Sequence, residues 1–294
     1  MSTPKFVTFE TSSKSLNKLL TPKGATKEGL RSGQVVLFFA RHKRAKSTVG
    51  LDIAFNALEK GATVAYIDAD VNGIDPYRLN VLLKAREGRK NMPPALPEQV
   101  LNLPPQQLEE AFKKHLAAHK FILYVAKTVQ QLEEFYKVLP NMPHVVVIDS
   151  ITYHFRQITT TGDSYYGSAV ETVEKVSTTA REYAKGANPD FPSPNGSALV
   201  IYTAQTKSSV SAYAKERIIE NKQKRGQKIH PREYEEERPF IGGEGLGYGA
   251  ETFVELINDP TIEYGRIALI TGSRNVPDGT SAKFKTCDAG ICDV

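Results

Sequence analysis

Cysteine, long apolar runs and internal repeats are scarce or absent in this 294-residue sequence. No apolar stretch approaches the ~20 residues that a membrane-spanning helix needs, so a membrane is not expected as a partner. Met1 to Lys14 is polar and holds no apolar stretch of the kind that marks a secretory signal. The two cysteines, Cys287 and Cys292, are too few for a four-ligand zinc site of their own or for a disulfide framework. They fit either a bonded pair or two free thiols near a turn, and an intracellular location is the default expectation. No repeat is found, so solenoids and propellers are not expected. Charge of one sign is also not dominant: 38 Lys and Arg face 33 Asp and Glu, a net +5. Such a balance only permits an anionic partner, and what matters is where the charge sits.

What is present is an alternation of apolar strands and amphipathic helices. Strands are expected at Gln34–Phe39, Thr63–Ile67, Phe121–Val125, His144–Asp149 and Ala198–Thr203. Helices are expected at Lys46–Glu59, Gln106–His119, Val129–Leu139 and Val170–Ala184. Residues 91–105 carry five prolines and read as a surface connection. From Thr252 onward the pattern is antiparallel strands, with turns at Asn258–Pro260 and Pro277–Gly279. Unbroken apolar strands between helices imply a mostly parallel central sheet covered on both faces, with antiparallel strands at the C-terminal edge. In such folds ligands sit at the carboxyl ends of the strands.

The first strand runs through a basic loop into Lys46-Ser47-Thr48 at a helix start, the layout of a phosphate-binding loop. The two positions that usually hold glycine are Ala40 and Ala45. Glycine serves there because backbone N–H groups curl around phosphate, sometimes at positive φ. Alanine in a left-handed conformation costs ~1–2 kcal/mol, so the cradle is strained. Arg41, Lys43 and Arg44 either hold phosphate or replace the nucleotide's charge, and the loop alone does not decide between them. The other strand ends add Asp70, Asp149 and Gln205. A nucleotide triphosphatase needs a lysine on the phosphates, a hydroxyl and a carboxylate at Mg²⁺, a group that orients water, and a γ-phosphate sensor. Lys46, Ser47, Asp149, Asp70 and Gln205 fill those places in order. ATP and Mg²⁺ are the cofactors expected.

In this order the chain resembles the RecA/RadA recombinase family over residues 9–291. Thr11–Leu20 resembles the segment that opens the RadA-type core. Tyr66–Asp70 with Asp75-Pro76 and Arg78-Leu79 is similar to the stretch bearing the family's catalytic acid. Val147–Ile151 with Phe155-Arg156 resembles the metal-carboxylate strand and the start of the first DNA-binding loop. Gly162–Ser164 and Gly167 echo bacterial RecA. Pro239, Gly242-Gly243 and Ala250 match the end of the second DNA loop. Arg266–Ala268 and Val276–Gly279 resemble the final strands and the cap that touches a neighbour's nucleotide, which implicates Arg274, Pro277 and Asp278. The likeness implies a RecA-like core over residues 1–294, most like an archaeal-type RadA paralog without the N-terminal domain. It also implies a nucleoid-associated, cytoplasmic place. There are departures: both loop glycines are missing, Asp70 stands where glutamate is usual, and Ala204 where asparagine is usual.

Residues 206–240 form a long basic loop in this frame. Lys207, Lys215, Arg217, Lys222, Lys224, Arg225 and Lys228 stand against Glu216 and Glu220 alone between Gln205 and Lys228. Such groups contact DNA phosphates, and Tyr213 offers a ring for stacking. Together with Arg156 they make single- or double-stranded DNA the expected ligand. A surface histidine pair, His115 and His119, lacks a third ligand and reads as an exposed helix face. Three functions fit. The first is a DNA-binding paralog assisting recombination or repair with weak ATP binding or hydrolysis. The second is an active DNA-stimulated ATPase. The third is a non-catalytic assembly subunit. Further copies of the chain in an oligomer or filament, or a RadA-type recombinase, are the protein partners implied.

Overall fold

A computed structural model describes residues 7–70, 74–138, 143–152, 166–187, 193–206, 246 and 249–294. Its centre is a nine-stranded sheet. The strands are β3 (Val35–Ala40), β4 (Val64–Asp68), β5 (Phe121–Val125), β6 (Val145–Asp149), β7 (Leu199–Gln205), β8 (Thr252–Asn258), β9 (Gly265–Ser273), β10 (Ser281–Cys287) and β11 (Gly290–Cys292). The spatial order is β11-β10-β9-β8-β3-β7-β6-β4-β5. β5, β4, β6, β7, β3 and β8 run parallel, and β8, β9, β10 and β11 pair antiparallel. The fold is therefore the mixed α/β arrangement the sequence implies. A short pair, β1 (Thr8–Phe9) and β2 (Leu30–Arg31), lies apart from this sheet.

Strand alternation explains the two covering layers. Val36, Phe38 and Ala40 of β3 join Val64, Tyr66, Val145 and Val147 under α2 (Lys46–Glu59), which contributes Val49, Ile53, Phe55 and Leu58. Val35, Leu37 and Phe39 point the other way, with Ala65, Ile67, Val146 and Ile148. They meet Val173, Val176, Ala180 and Tyr183 of a helix at Tyr166–Ala184. Six successive buried residues in β3 follow from having helices on both faces.

Four helices bring small revisions. The proline-rich stretch 91–105, expected to be irregular, contains α4 (Glu98–Leu101), and α5 (Pro105–Ala117) begins at a proline. Pro97 is the N-cap of α4 and Pro105 the first residue of α5, places where no helical N–H bond is lost. The helix expected at Val129–Leu139 divides into α6 (Val129–Glu133) and a 3₁₀ turn at Phe135–Val138. The helix expected from Val170 starts at Tyr166 and is α7 here. Two helices were not read from the sequence: α1 (Lys14–Leu20), capped by Ser13, and α3 (Pro76–Lys84), capped by Asp75. No described helix is long and apolar enough to cross a membrane.

Candidate functional site

The parallel strands β3, β7, β6 and β4 end at one edge of the sheet. Register places Ala40 beside Gln205, and Asp68 beside Asp149. Four of the sequence-predicted positions, Ala40, Gln205, Asp149 and Asp70, thus belong to neighbouring strand ends, with Lys46 at the start of α2.

The loop expected to hold phosphate is the turn between β3 and α2. Ala45 is the N-cap of α2, with φ +67° and no side-chain cap bond. Its left-handed backbone is the strain expected for alanine at that glycine position. Ala40 differs: it is the buried last residue of β3 and is not among the positive-φ residues, so its missing glycine has no conformational consequence. The second strained position is Lys43, at φ +60°. Nothing in the spacing pointed to it. Lys46 is buried, and its Nζ donates to the carbonyls of Arg41, at 2.9 Å, and Ala40, at 3.3 Å. The ammonium therefore closes the loop on itself, at the place from which it would reach phosphate. Ser47 is exposed and Thr48 half-buried at the helix start.

Asp149 is buried, and both of its oxygens accept hydroxyl hydrogen bonds. Tyr66 donates to Oδ2 at 2.6 Å, and Thr203 donates to Oδ1. Burial, and then the negative charge of Asp149, holds the Tyr66 phenol far above its ordinary pKa, so it remains a donor. The Asp149–Ser150 peptide is cis. Gln205 is fixed through its own N–H, which donates to Thr152 Oγ1 at 3.0 Å.

Asp68 was passed over in the sequence. It is buried, and accepts the N–H of Ile74 at 2.6 Å and of Asp70 at 3.3 Å. It thus holds both ends of the loop that carries Asp70. Burial raises its carboxyl to a pKa of about 7, with Asp149 adding to the rise against the two backbone bonds. The signal for it in the sequence was its strand-end position in line with Asp149.

ATP and Mg²⁺ can be tested against these donors. Lys46 and the start of α2 suit phosphate. Among the described residues no three His, Cys, Asp or Glu stand close enough to hold a metal ion. A Mg²⁺ would rely on Ser47, Asp149 and the phosphates themselves. Each Asp149 oxygen keeps a lone pair after its one hydroxyl bond, so the donor set is compatible with the ion. Arg41 and Arg44 are half-buried in the loop.

Arg274, Pro277 and Asp278 lie elsewhere. β9 pairs Ser273 with Thr252 at the start of β8, and Arg266 with Asn258 at its end. Because β8 runs parallel to β3, the turn after Ser273 sits at the sheet edge where β3 begins. That is the edge opposite the phosphate loop. Arg274 donates its N–H to Glu251 O, and Asp278 accepts from Ser273 N at 2.9 Å. These residues and the chain's own loop are not brought together. Arg156, Lys207, Tyr213, Lys215, Arg217, Lys222, Lys224, Arg225 and Lys228, with the rest of the loop up to 240, lie outside the described residues. Cys287 and Cys292 form a disulfide that closes the β10–β11 hairpin. His115 and His119 are neighbours, with His115 Nε2 2.8 Å from Pro94 O.

No protein-family model and no curated protein matches the chain. Solved structures do. The chain is similar to the RadB recombinase, with a TM-score of 0.61 and 20% identity over 97% of this chain and 99% of that one. The chain has the RecA-like recombinase fold.

Proposed function

We propose that this protein is a DNA-binding RecA-fold paralog that assists recombination or repair and takes ATP weakly at the loop of residues 40–48. The observation that carries this reading is the convergence of Lys46, Asp149, Gln205 and the Asp68–Asp70 loop on one end of adjacent strands. Likeness to a recombinase over nearly the whole of both chains supports it. In this reading Lys46, Ser47 and Thr48 hold phosphates, assisted by Arg41, Lys43 and Arg44. Ser47 and Asp149 hold Mg²⁺, which when bound neutralises charge on the phosphates. Asp70 orients water, and Gln205 senses the terminal phosphate. Residues 1–294 act as one core. DNA is held by Arg156 and the basic loop. Arg274, Pro277 and Asp278 face away from their own loop, so any nucleotide they cap belongs to another copy or to a RadA-type recombinase.

A second reading, a non-catalytic assembly subunit, has one observation in its favour. Lys46 already bonds two carbonyls of its own loop, as a lysine with a purely structural part would. ATP binding separates the two: a Lys46→Ala variant loses ATP affinity under the first reading and has none to lose under the second.

The DNA half is tested by fluorescence anisotropy on a single-stranded oligonucleotide at several salt concentrations. Replacing Lys222, Lys224 and Arg225 with alanine is expected to weaken binding and to flatten the log–log salt slope by up to about 2, at roughly 0.7 per phosphate contact. Equal affinities and slopes would reject the basic loop as the DNA site.

A further inference from the structure

The C-terminal edge of the sheet ends in a covalent closure. Cys287 and Cys292 are the chain's whole complement of cysteine, and they are bonded to each other across the β10–β11 hairpin. Both are half-buried, and the Asp288 side chain at the tip between them is 89% exposed. A disulfide open to water in this way is of the labile kind, within reach of an attacking thiolate.

Two fastenings of different kinds hold this hairpin. One is independent of the sulfurs: Ile291 is buried in the main core, and Ala289 O accepts from Arg86 Nε at 2.8 Å. The other is the disulfide. The ladder between β9 and β10 ends at Lys285, and beyond it Cys287 pairs with Gly290 of β11. β11 has three residues and lies at the sheet edge. So short a pairing is marginal without further support, and the covalent bond supplies it at Cys287. Cys287 in turn holds α3, because its carbonyl accepts from an Arg78 Nη at 2.9 Å. α3 follows directly on the loop that Asp68 ties down through the N–H groups of Asp70 and Ile74.

We propose that Cys287–Cys292 is a site of thiol–disulfide exchange, and that its redox state is passed by Arg78 to α3. The reactant is a dithiol. One of its thiolates attacks a sulfur of the protein disulfide and forms a mixed disulfide, and its second thiol then displaces the remaining protein sulfur. Two electrons and two protons pass to the protein, which gains two thiols, and the reductant leaves as a disulfide. An oxidised dithiol reverses the step. Reduction frees Cys287 and loosens the Arg78 bond, while Ile291 and Arg86 keep the rest of the hairpin in place, so the change is local. Because α3 leads from the Asp70 loop, the reduced protein binds ATP less tightly. That last consequence rests on the reading of this edge as an ATP site; the loosening of α3 does not.

The test compares the full-length oxidised protein with the same protein treated with dithiothreitol under native conditions. Alkylation with mass spectrometry counts the free thiols, and amide hydrogen exchange is read in both forms. Both cysteines are expected to be alkylated in the folded, reduced protein. Exchange should rise about tenfold over residues 76–79 and 286–288, as loss of a hydrogen bond to a charged group supplies, with α2 and α5 unchanged. In oxidised Arg78→Gln, α3 should exchange like that of the reduced parent while residues 286–288 stay protected, and reduction should add nothing to α3. A disulfide reduced only in denaturant, or an α3 indifferent to reduction, would overturn the proposal. So would reduction loosening α3 as much in Arg78→Gln as in the parent, which would remove Arg78 from the relay. Global unfolding on reduction would make the disulfide a structural staple instead. Loosening of α3 with no ATP bound by either form would reject the ATP reading and leave the exchange site standing.

Discussion

The hydroxyl of Tyr66 donates a 2.6 Å hydrogen bond to Asp149 from the strand next door, and both side chains are buried. With Thr203 on the other oxygen, the carboxylate is aimed before any ligand arrives. Tyr66→Phe removes one donor and leaves a buried acceptor underused. The expected loss is about 1–3 kcal/mol of stability, read from urea unfolding. If Asp149 serves Mg²⁺, the same variant should alter the Mg²⁺ dependence of ATP binding. A stability change with identical Mg²⁺ dependence would make the pair structural only.

The two loop alanines should behave oppositely. Ala45→Gly relieves a left-handed alanine and is expected to stabilise the protein by about 1 kcal/mol and to tighten ATP binding. Ala40→Gly places glycine in a buried strand, and should destabilise by about 0.5–1 kcal/mol before its lost methyl is counted. Thermal melts and ATP titrations of the two single variants decide this. Equal effects from both would show that strain at residue 45 does not limit the site.

The loop that carries Asp70 should respond to pH through Asp68. Its folded carboxyl ionises near 7 instead of 3.8, chiefly because it is buried. Below pH 3.8 the group is protonated in both states and contributes nothing to the pH dependence. As pH rises toward 7, the unfolded chain loses this proton first, so stability falls across that window and then levels off. The full difference corresponds to roughly 4 kcal/mol. Asp68→Asn removes the titration, so its melting temperature should gain on the parent's as pH rises from 4 to 7. A constant difference across that range would show that Asp68 ionises as freely as an exposed carboxylate.

Much of this was legible because strand burial and strand ends are local properties of a sequence. Five consecutive apolar residues before Ala40 announce a strand covered on both faces, and Asp149 follows another such run. The left-handed backbone at Ala45 was legible through its place in the loop spacing. The part played by Asp68 was not, since it depends on bonds to Ile74 and Asp70 and on register with a strand that begins at Val145. Helix α3 was missed because Leu79, Leu82 and Leu83 are buried while Tyr77 and Val81 on the same short helix are exposed, which blurs its period.

A buried ion pair between α2 and the turn after α3 anchors the C-terminal hairpin through a hydrogen bond from its arginine, and its removal should be costly. Arg86 and Asp52 meet with both side chains fully buried. Ser12 donates to Asp52 through its N–H and its hydroxyl, each at 2.7 Å, and Arg86 donates from Nε to Ala289 O at 2.8 Å. The N-terminal segment, α2, the turn after α3 and the β10–β11 turn are thereby tied at one point. Gly290 in that turn has φ +123°, and a Cβ there would lie 2.6 Å from an Asp52 oxygen. Arg86→Met leaves a buried carboxylate without its counter-charge, and the expected cost is about 3–5 kcal/mol. Gly290→Ala should also destabilise, because it meets both a left-handed backbone and the ion pair itself. An Asp52→Asn/Arg86→Met double variant removes both charges and should recover part of the loss. Urea unfolding of the three variants measures this. A double variant no better than Arg86→Met alone would mean that the hydrogen bond from Arg86 to Ala289 O, and not the charge of Asp52, holds the hairpin in place.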